Sequence, residues 1–305
     1  MRFVIGEGEE NKLLRSYLRE RGVSAALLAR LKREEQGILL NGTPVTVRAL
    51  LHAGDVLELA VEDREAPLNV LPRALPVEFL LQTPDLTVCN KPAGMPTHPS
   101  HGHFEDTLAN ALVYHLSTEA QPFRPRFVNR LDRNTTGVVL VANHALAAIS
   151  LSRAMVEGKI KKSYLALVHG RVENACRLET GIRRREQSVI LREVCAKEEG
   201  ELAVTEVIPL AACAEFSLVH LIPHTGRTHQ LRVHMAHLGH PLLGDELYGI
   251  ADDFPRHALH ARHLEFPVPQ TGERVLVSAP IPEDMLQRIS LLGREALALA
   301  QTEEF

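Results

Sequence analysis

The chain of 305 residues lacks several features by which other classes of protein are recognised. No apolar run is long enough to cross a membrane, and the first segment, MRFVIGEGEENK, has no apolar core of the kind found in signal peptides. The four cysteines lie far apart and form no C-x-x-C pair, so a disulfide framework is not expected and a reducing cytoplasm fits best. Neither a P-loop nor a dinucleotide-binding fingerprint occurs in the sequence.

A large excess of charge is also missing, because the formal net charge is only −4. Such a balance argues weakly against a protein that coats nucleic acid without specificity, although a local basic patch could still bind it. One such patch lies in residues 11–36, where seven Lys and Arg stand against three Glu. The segment is either a solvated helical surface or a contact for a polyanion. Its cations are Lys12, Arg15, Arg19, Arg21, Arg30, Lys32 and Arg33.

Three regions of different character follow one another. Residues 1–62 have the pattern of a small unit with two helices, a hairpin and a closing strand. Residues 63–76 contain three prolines and no apolar periodicity, which is typical of a linker. Residues 77–305 alternate between strand-like and helix-like patterns, so we expect an α+β domain with a mixed sheet and helices on its faces.

The first unit carries clear signals for the beginnings and ends of its elements. Ser24 is a typical N-cap for the second helix, and Gly37 is a typical stop. The pair Asn41-Gly42 between two apolar runs indicates a tight hairpin turn. The first helix, NKLLRSYLRERG, is expected to place three leucines on one helical face, namely Leu13, Leu14 and Leu18, and to end at Gly22.

Within the second region, short runs predict the individual elements. VVLVA, KKSYLALVHG and FSLVHLIP have the patterns of strands, and two further strands precede the loop NKPAGMPTHP. HALAAISLSRAMVEG and RTHQLRVHMAHLG have helical patterns, and the second of these is expected to end at Gly239.

The segment NRLDRNTTG places one carboxylate between two arginines, directly before the buried-strand pattern VVLVA. A loop that runs into a buried strand holds its side chains on a rigid support. Asp132 could therefore be a nucleophile or a general base. Arg130 and Arg133 would keep it ionised, or would grip the phosphates of a polyanionic substrate. The alternative is a surface turn with a local salt bridge.

The segment TGRTHQLRVHMAHLGHPLLGDELYG concentrates two arginines and four histidines. A metal site is disfavoured, because no H-E-x-x-H occurs and no acidic residue stands at ligand spacing before Asp245. Arg232 could instead pair with Asp132, since a half-buried carboxylate needs such a partner. Asp245 follows a glycine and is most simply a turn residue.

Two more segments are suggestive without being specific. NKPAGMPTHPSHG is stiffened by prolines and opened by a glycine, which is typical of a rigid connecting loop. In KKSYLALVHG the alternation places Tyr164, Ala166 and Val168 on one strand face. Tyr164 is either part of the core or a platform on which a base stacks.

The order and combination of these motifs resemble the RluA family of pseudouridine synthases. The resemblance covers roughly residues 77–285, and its most specific parts are R-L-D-x-x-T-S/T-G and G-R-T-H-Q-I/L-R-V-H. Residues 11–60 resemble the alpha-L RNA-binding motif, a helical and hairpin module shared with a ribosomal small-subunit protein. The resemblance implies a pseudouridine synthase fold, in which helices flank a long mixed, mainly antiparallel sheet with a central cleft.

The resemblance also implies roles for residues already singled out. Asp132 matches the catalytic aspartate, Tyr164 the tyrosine that packs on the target base, and Arg232 the arginine that pairs with the aspartate. Many members have His where this chain has Asn129, a position implied to help open the RNA. The remaining candidates are the substrate contacts Asn129, Arg130, Arg133, Arg227, His229 and Lys91, and the contacts of the RNA-binding module Arg15, Arg30, Lys32 and Arg33.

The implied reaction isomerises specific uridines in RNA to pseudouridine. Asp132 would attack the sugar or remove a ribose proton, and Tyr164 would stack on the uracil and help remove the proton at C5. We expect no cofactor and no metal, a monomer, and RNA as the partner. The basic first unit favours large-subunit ribosomal RNA over transfer RNA.

Several alternatives stay open at this point. Transfer RNA could be the target, or the protein could be an RNA-binding paralogue without activity. A metal-dependent hydrolase would use the histidine cluster. A glycosidase would need a second carboxylate beside Asp132, for which Asp245 is the candidate.

Overall fold

The computed structural model of the protein describes residues 1–63, 67, 69–119 and 121–302. The first unit contains, in order, β1 (Arg2–Val4), α1 (Leu14–Glu20), α2 (Ala25–Leu31), β2 (Ile38–Leu40), β3 (Thr43–Pro44) and β4 (Val56–Leu59). The second region begins with β5 (Glu78–Gln82), β6 (Leu86–Lys91), α3 (Leu108–Leu116), β7 (Arg126–Phe127), β8 (Thr136–Ala142), α4 (Ala145–Val156) and β9 (Lys161–His169). It continues with β10 (Cys176–Arg184), β11 (Arg192–Cys195), β12 (Glu201–Ala212), β13 (Phe216–Pro223), α5 (Gln230–His237), β14 (Leu259–Pro267), β15 (Arg274–Ser278), α6 (Glu283–Ser290) and α7 (Arg294–Gln301).

The first unit folds as its signals predict, with two corrections. The Ser24 hydroxyl accepts a hydrogen bond from the Leu27 N–H and caps α2. Positive φ angles at Asn41 and Gly42 close the predicted hairpin, which these two residue types tolerate well. Leu13, expected on the same helical face as Leu14 and Leu18, is instead the exposed N-cap of α1, whereas the other two leucines are buried.

The helix α2 ends at Leu31, six residues before the predicted stop at Gly37. The chain then turns back so tightly that a Cβ at Gly37 would collide with the Leu31 carbonyl. The glycine is therefore required by close packing beyond the helix, not by the helix terminus itself. Part of the predicted linker, residues 64–66 and 68, lies outside the described residues.

In the described part of the chain, eleven strands of the second region form one sheet, in the order β11-β10-β12-β13-β9-β14-β8-β6-β5 with β15 beside β14 and β7 beside β8. Neighbouring strands are antiparallel except for β14 and β8, which run parallel. The α+β class and the mixed, mainly antiparallel sheet predicted from the sequence are confirmed.

The parallel pair in the middle of the sheet depends on a glycine. Gly137 pairs with Ala261 and has a φ of +112°. A Cβ at this position would collide with the Ala261 carbonyl. Only glycine permits both the backbone conformation and the close approach. The last letter of the NRLDRNTTG motif thus joins the two halves of the sheet.

Helices cover both faces of the sheet. Along β8, Val139 and Val141 enter the core that α3 and α5 cover, whereas Val138 and Leu140 enter the core beneath α4. Both faces of β8 are therefore buried, which explains why VVLVA is continuously apolar. Within the described residues, no helix is long and apolar enough to cross a membrane.

The first unit packs against the second region through α4. Leu146 of α4 belongs to the same buried cluster as Leu14, Leu18 and Leu27 of the first unit. Next to this contact, Arg126 of β7 donates a hydrogen bond of 2.9 Å to Asp63.

Candidate active site

A cavity of about 530 Å³ lies where the loop before β8, the strand β9 and the loop before α5 meet. Three segments separated by many residues in the sequence supply its wall. Of the nine candidate catalytic and substrate-contacting residues, seven line this cavity: Asn129, Arg130, Asp132, Tyr164, Arg227, His229 and Arg232. The other two, Lys91 and Arg133, lie outside it.

Asp132 is half-buried, and two side chains from the start of α5 face its carboxylate. The Arg232 Nη1 atom lies 3.4 Å from Asp132 Oδ2, and the His229 Nε2 atom lies 3.9 Å from the same oxygen. The structure therefore brings Arg232 and Asp132 together, as the sequence suggested. One oxygen of the carboxylate is approached from two directions, while the side chain stays open to the cavity.

The main partner of Arg232 is a residue that sequence reasoning assigned to a turn. Arg232 donates two hydrogen bonds to Asp245, from Nε at 2.8 Å and from Nη2 at 2.6 Å. Arg232 is only 5% exposed and the Asp245 side chain is fully buried. Asp245 also accepts hydrogen bonds from the N–H groups of Leu247 and Tyr248, so it forms the predicted turn as well. A bidentate pair of this kind fixes the plane of the guanidinium group.

Burial disfavours both charges of this pair, and their mutual contact outweighs that effect. The hydrogen bonds and charge of Asp245, with Asp132 adding to them, raise the pKa of Arg232 above its ordinary value despite burial. Burial alone would raise the pKa of Asp245, but the bonds from Arg232 hold that pKa below its ordinary value. Asp132 therefore faces an arginine whose charge is held permanently.

Tyr164 lies on β9, where it pairs with Leu221 of β13 on one side and Ala261 of β14 on the other. It is buried in the floor of the cavity. Burial, reinforced by the negative charge of Asp132, raises the pKa of its phenol group. Tyr164 is thus a neutral aromatic surface held rigidly by the sheet.

Asn129 is engaged with the backbone of β8. Its amide nitrogen donates to the Val138 carbonyl at 3.0 Å, and its amide oxygen accepts from the Leu140 N–H at 2.8 Å. The side chain thereby makes the two hydrogen bonds that the backbone of a neighbouring strand would make, and it holds the start of the NRLDRNTTG loop against the sheet.

Other segments hold the same loop from its far side. The Thr97 hydroxyl donates to the Leu131 carbonyl at 2.8 Å and accepts from the Leu131 N–H at 3.2 Å. The Arg256 guanidinium, paired with Asp284, donates to the Asn134 carbonyl at 3.1 Å. The backbone on each side of Asp132 is therefore anchored, as a reacting group requires.

Lys91, predicted to contact the substrate, is fully buried away from the cavity. Its ammonium group donates to the carbonyls of Pro92, Met95 and Arg133 at 2.8 to 2.9 Å. Burial lowers the pKa of Lys91 to about 7. This position does not support a substrate contact, because the ammonium group instead ties the NKPAGMPTHP loop to the loop of Asp132. The Arg133 side chain is exposed and lies near His103.

Two arginines at the rim of the cavity make only light contacts with the protein. Arg130 is exposed and donates to the Thr228 hydroxyl at 2.8 Å, and Arg227 donates to the Leu202 carbonyl at 2.9 Å. Arg227 and Thr228 also line a neighbouring cavity of about 320 Å³, to which β10 and β11 contribute three further arginines, Arg183, Arg184 and Arg192. Arg183 is paired with Glu193 and Glu199, and Arg227 lies 3.7 Å from Glu201, so the positive charge on this side of the rim comes mainly from Arg184 and Arg192.

The histidine cluster does not form a metal site in the described part of the chain, where no three His, Cys, Asp or Glu side chains converge suitably. Both ring nitrogens of His234 are hydrogen-bonded to hydroxyl groups, those of Thr180 and Thr205. The His240 ring is bonded to the His169 carbonyl. These histidines are bound within the protein instead of converging on one point.

Comparison with known proteins gives the arrangement a family. The family model described as RNA pseudouridylate synthase matches residues 85–237. The uncharacterized RNA pseudouridine synthase YjbO of Bacillus subtilis is 36% identical over 278 residues, which cover 90% of this chain and 98% of that protein. The chain belongs to the RNA pseudouridylate synthase family. It is an isomerase that acts on RNA, in agreement with the resemblance noted in its motifs.

Two further proteins resemble this pseudouridine synthase. The ribosomal large subunit pseudouridine synthase D of Pseudomonas aeruginosa is 34% identical over 273 residues, 85% of this chain and 84% of that protein. The solved structure of human RNA pseudouridylate synthase domain containing 1 is 30% identical with a TM-score of 0.55, and covers 67% of this chain and 83% of that one. The stretch matched by the family model contains Asp132, Tyr164 and Arg232, but it ends before Asp245 and does not include the first unit.

Proposed function

We propose that this pseudouridine synthase isomerises uridine in large-subunit ribosomal RNA and that Asp132 is its reacting carboxylate. One observation carries the assignment. Among the described residues that line the main cavity, Asp132 is the only carboxylate, and it faces the permanently charged Arg232. A glycosidase needs two carboxylates across one cleft. The arrangement disfavours this function, because the other candidate, Asp245, is buried in an ion pair with Arg232.

The proposed reaction rearranges one nucleotide without adding or removing atoms. The bond from N1 of uracil to C1′ of the ribose breaks, the base rotates, a bond from C5 to C1′ forms, and the proton at C5 leaves while N1 gains one. Asp132 serves either by attacking C1′ or by removing a ribose proton. Arg232 keeps the carboxylate charged and oriented.

Tyr164 is proposed to pack against the uracil while the base is detached. Its rigid position in the floor of the cavity suits this role. The raised pKa of its phenol keeps it protonated, which disfavours the direct removal of the C5 proton that the resemblance also implied. The base must leave its stack to reach this floor, at a cost of a few kcal/mol.

Large-subunit ribosomal RNA is the preferred substrate for two reasons. The relatives from Pseudomonas aeruginosa and from Vibrio cholerae, at 34% and 35% identity, carry the name ribosomal large subunit pseudouridine synthase D. Positive charge also extends beyond the main cavity onto the β10–β11 hairpin through Arg184 and Arg192, so these two arginines could follow a phosphate backbone away from the reacting base. Arg183 is not counted with them, because it is paired with Glu193 and Glu199. Transfer RNA is the alternative that the experiment below separates.

The first unit is proposed to be an alpha-L type RNA-binding module. Among its four candidate contacts, Arg15, Lys32 and Arg33 are exposed. Arg30 differs, because its guanidinium donates to the carbonyls of Ala60 and Glu62 and stabilises the unit itself. The exposed three are therefore the proposed RNA contacts.

The test is the release of tritium from RNA labelled at C5 of uridine, because formation of the new bond expels that atom. Purified enzyme is incubated with large-subunit ribosomal RNA transcripts and, separately, with transfer RNA transcripts. We expect release from the ribosomal RNA, and we expect Asp132→Asn to reduce it by at least a thousandfold while RNA affinity stays within a few fold of wild type.

Asp253→Asn is the matched control, since this carboxylate is 82% exposed and lies outside the cavity. Release from transfer RNA alone would keep the chemistry and overturn the proposed substrate. Turnover by Asp132→Asn at the wild-type rate would overturn the assignment of Asp132. Release from neither RNA would favour the inactive RNA-binding alternative.

A further inference from the structure

Tyr248 joins three parts of the molecule beside the main cavity, although it does not line that cavity. Its hydroxyl accepts a hydrogen bond from the backbone N–H of Arg192, at the start of β11, at 2.8 Å. The same hydroxyl lies 2.8 Å from His229 Nδ1. Its ring lies under the guanidinium of Arg232, with the central carbon 5.2 Å from the ring centroid.

The hydrogen-bond donors and acceptors around this hydroxyl select one form of His229. A backbone N–H can only donate, so one lone pair of the Tyr248 oxygen is taken by Arg192. The hydroxyl hydrogen then has a single acceptor within reach in the described residues, the Nδ1 atom of His229. A neutral imidazole that accepts at Nδ1 carries its proton at Nε2. That is the atom 3.9 Å from Asp132 Oδ2.

The conformation of His229 makes such support necessary. It occupies the N-cap position of α5 with a φ of +57°, and its side chain makes no capping hydrogen bond. This conformation is uncommon for residues other than glycine and persists where the surroundings hold it. The His229 ring meets the Tyr248 ring edge to face, with the centroids 5.6 Å apart. Hydroxyl and ring together determine where the imidazole points.

We propose that Tyr248 is a positioning residue for the reaction: its hydroxyl keeps His229 in the form that offers an N–H to Asp132, and its ring steadies Arg232. The role rests on the proposed part of Asp132 in catalysis. The Tyr248 hydroxyl also accepts a hydrogen bond from the backbone of β11. It therefore connects the β10–β11 hairpin, through His229, to the reacting carboxylate of Asp132.

The effect of pH follows from the charges around His229. Asp132 faces it from the loop before β8, Arg232 from α5, Arg192 from β11, and Asp245 from the loop after α5. Burial lowers the pKa of His229, Asp132 opposes this, and the arginines reinforce it. A hydroxyl that donates to Nδ1 also favours the neutral ring. Without it the pKa should rise, and a protonated His229 would form an ion pair that withdraws Asp132 from the substrate.

The experiment compares Tyr248→Phe with wild type in single-turnover tritium release from large-subunit ribosomal RNA, with enzyme in excess. We expect the rate at pH 7 to fall about five- to tenfold, which corresponds to the loss of one hydrogen bond in the transition state. RNA affinity should not change. The acid limb of the rate profile should move to higher pH. Tyr114→Phe is the matched control, because that side chain is 50% exposed on α3, and its rate should equal that of wild type.

A readout on the enzyme alone keeps the proposal testable if the variant folds poorly. Protein labelled with ¹⁵N in its histidine rings should show the His229 proton at Nε2, with His229→Gln identifying the signals. A wild-type proton at Nδ1 would overturn the proposal, as would a Tyr248→Phe enzyme with wild-type rate and pH profile. An Asp132→Asn variant that stays active would instead overturn the proposed function, whatever Tyr248 does.

Discussion

At the scale of single residues, the candidate site depends on a buried chain of charges. Asp132 faces Arg232, and Arg232 is held by Asp245. The last pair is desolvated, so its hydrogen bonds must compensate for lost hydration. Removing one partner leaves the other charge buried without compensation. The carboxylate that sequence reasoning set aside as a turn residue is therefore the one whose loss should matter most for the fold.

Asp245→Asn should destabilise the protein by about 3 to 5 kcal/mol, because a buried arginine is left with a neutral partner. The asparagine oxygen can still accept the hydrogen bonds from the N–H groups of Leu247 and Tyr248. The loss of stability therefore reports on the charge pair with Arg232. Denaturant unfolding measures this loss. The comparison is Asp253, an exposed carboxylate paired with Arg288, and Asp253→Asn should cost far less stability than Asp245→Asn because solvent screens that pair. Equal losses in the two variants would contradict the role assigned to Asp245.

Among the described elements of the first unit, the cations in and around α1 and α2 fall into two groups, those held by partners within the unit and those that are exposed without such a partner. Lys12 and Arg21 form ion pairs with Glu20 and Glu9, at 2.7 Å in each case. Arg30 is turned toward backbone carbonyls of its own unit. The remaining exposed cations of residues 11–36 are Arg15, Arg19, Lys32 and Arg33. A basic composition thus overstates the charge that the unit can offer to a phosphate backbone.

The triple variant Arg15→Gln, Lys32→Gln, Arg33→Gln should bind large-subunit ribosomal RNA more weakly and with a smaller salt dependence, because fewer counterions are released. Filter binding at several salt concentrations measures both. The control removes the same charge from exposed positions of the second region, at Lys159, Arg171 and Arg294. If the control weakens binding as much as the triple variant does, the effect is one of net charge and the proposed contact fails.

Across the whole molecule, buried histidines form hydrogen bonds within the large sheet and at its borders. Five of them are hydrogen-bonded to serine or threonine hydroxyls: His220, His234, His257, His260 and His263. Burial is the first cause that lowers their pKa values, to about 3 for His257 and His260 and to about 4 for the others. All five are therefore neutral in the folded protein at neutral pH.

Stability should fall as the pH drops from about 6.5 toward 4. The unfolded chain binds protons at these histidines below about 6.5, whereas the folded protein does not until pH 3 to 4. The unfolded state is thus favoured by about 1.4 kcal/mol per pH unit for each histidine. Guanidinium unfolding at pH 7.5, 6 and 5 tests this. A constant free energy of unfolding across that range would contradict it, and His260→Gln should reduce the slope by one histidine's share.

The class of fold, the family motifs and many of the elements were predictable from the sequence, but β10, β11 and β12 were not among the predicted strands. The signals that allowed these predictions are local: apolar periodicity, caps, and the Asn41-Gly42 turn depend on neighbours a few residues away. Even the glycine of NRLDRNTTG is visible in the sequence, although its reason, the approach of Ala261, is not.

Which polar groups meet is a property of the folded chain and for the most part could not be predicted from the sequence. In the folded chain, Lys91 is buried among carbonyl groups and Asn129 is hydrogen-bonded to β8. Arg232 is paired with Asp245, and Tyr248 lies between β11 and His229. Residues of the same type can either face the substrate or hold another residue in place, and only their position in the folded chain distinguishes the two roles. The physical reason is desolvation: a buried polar group must find a partner, and the path of the whole chain decides which partner lies within 3 Å.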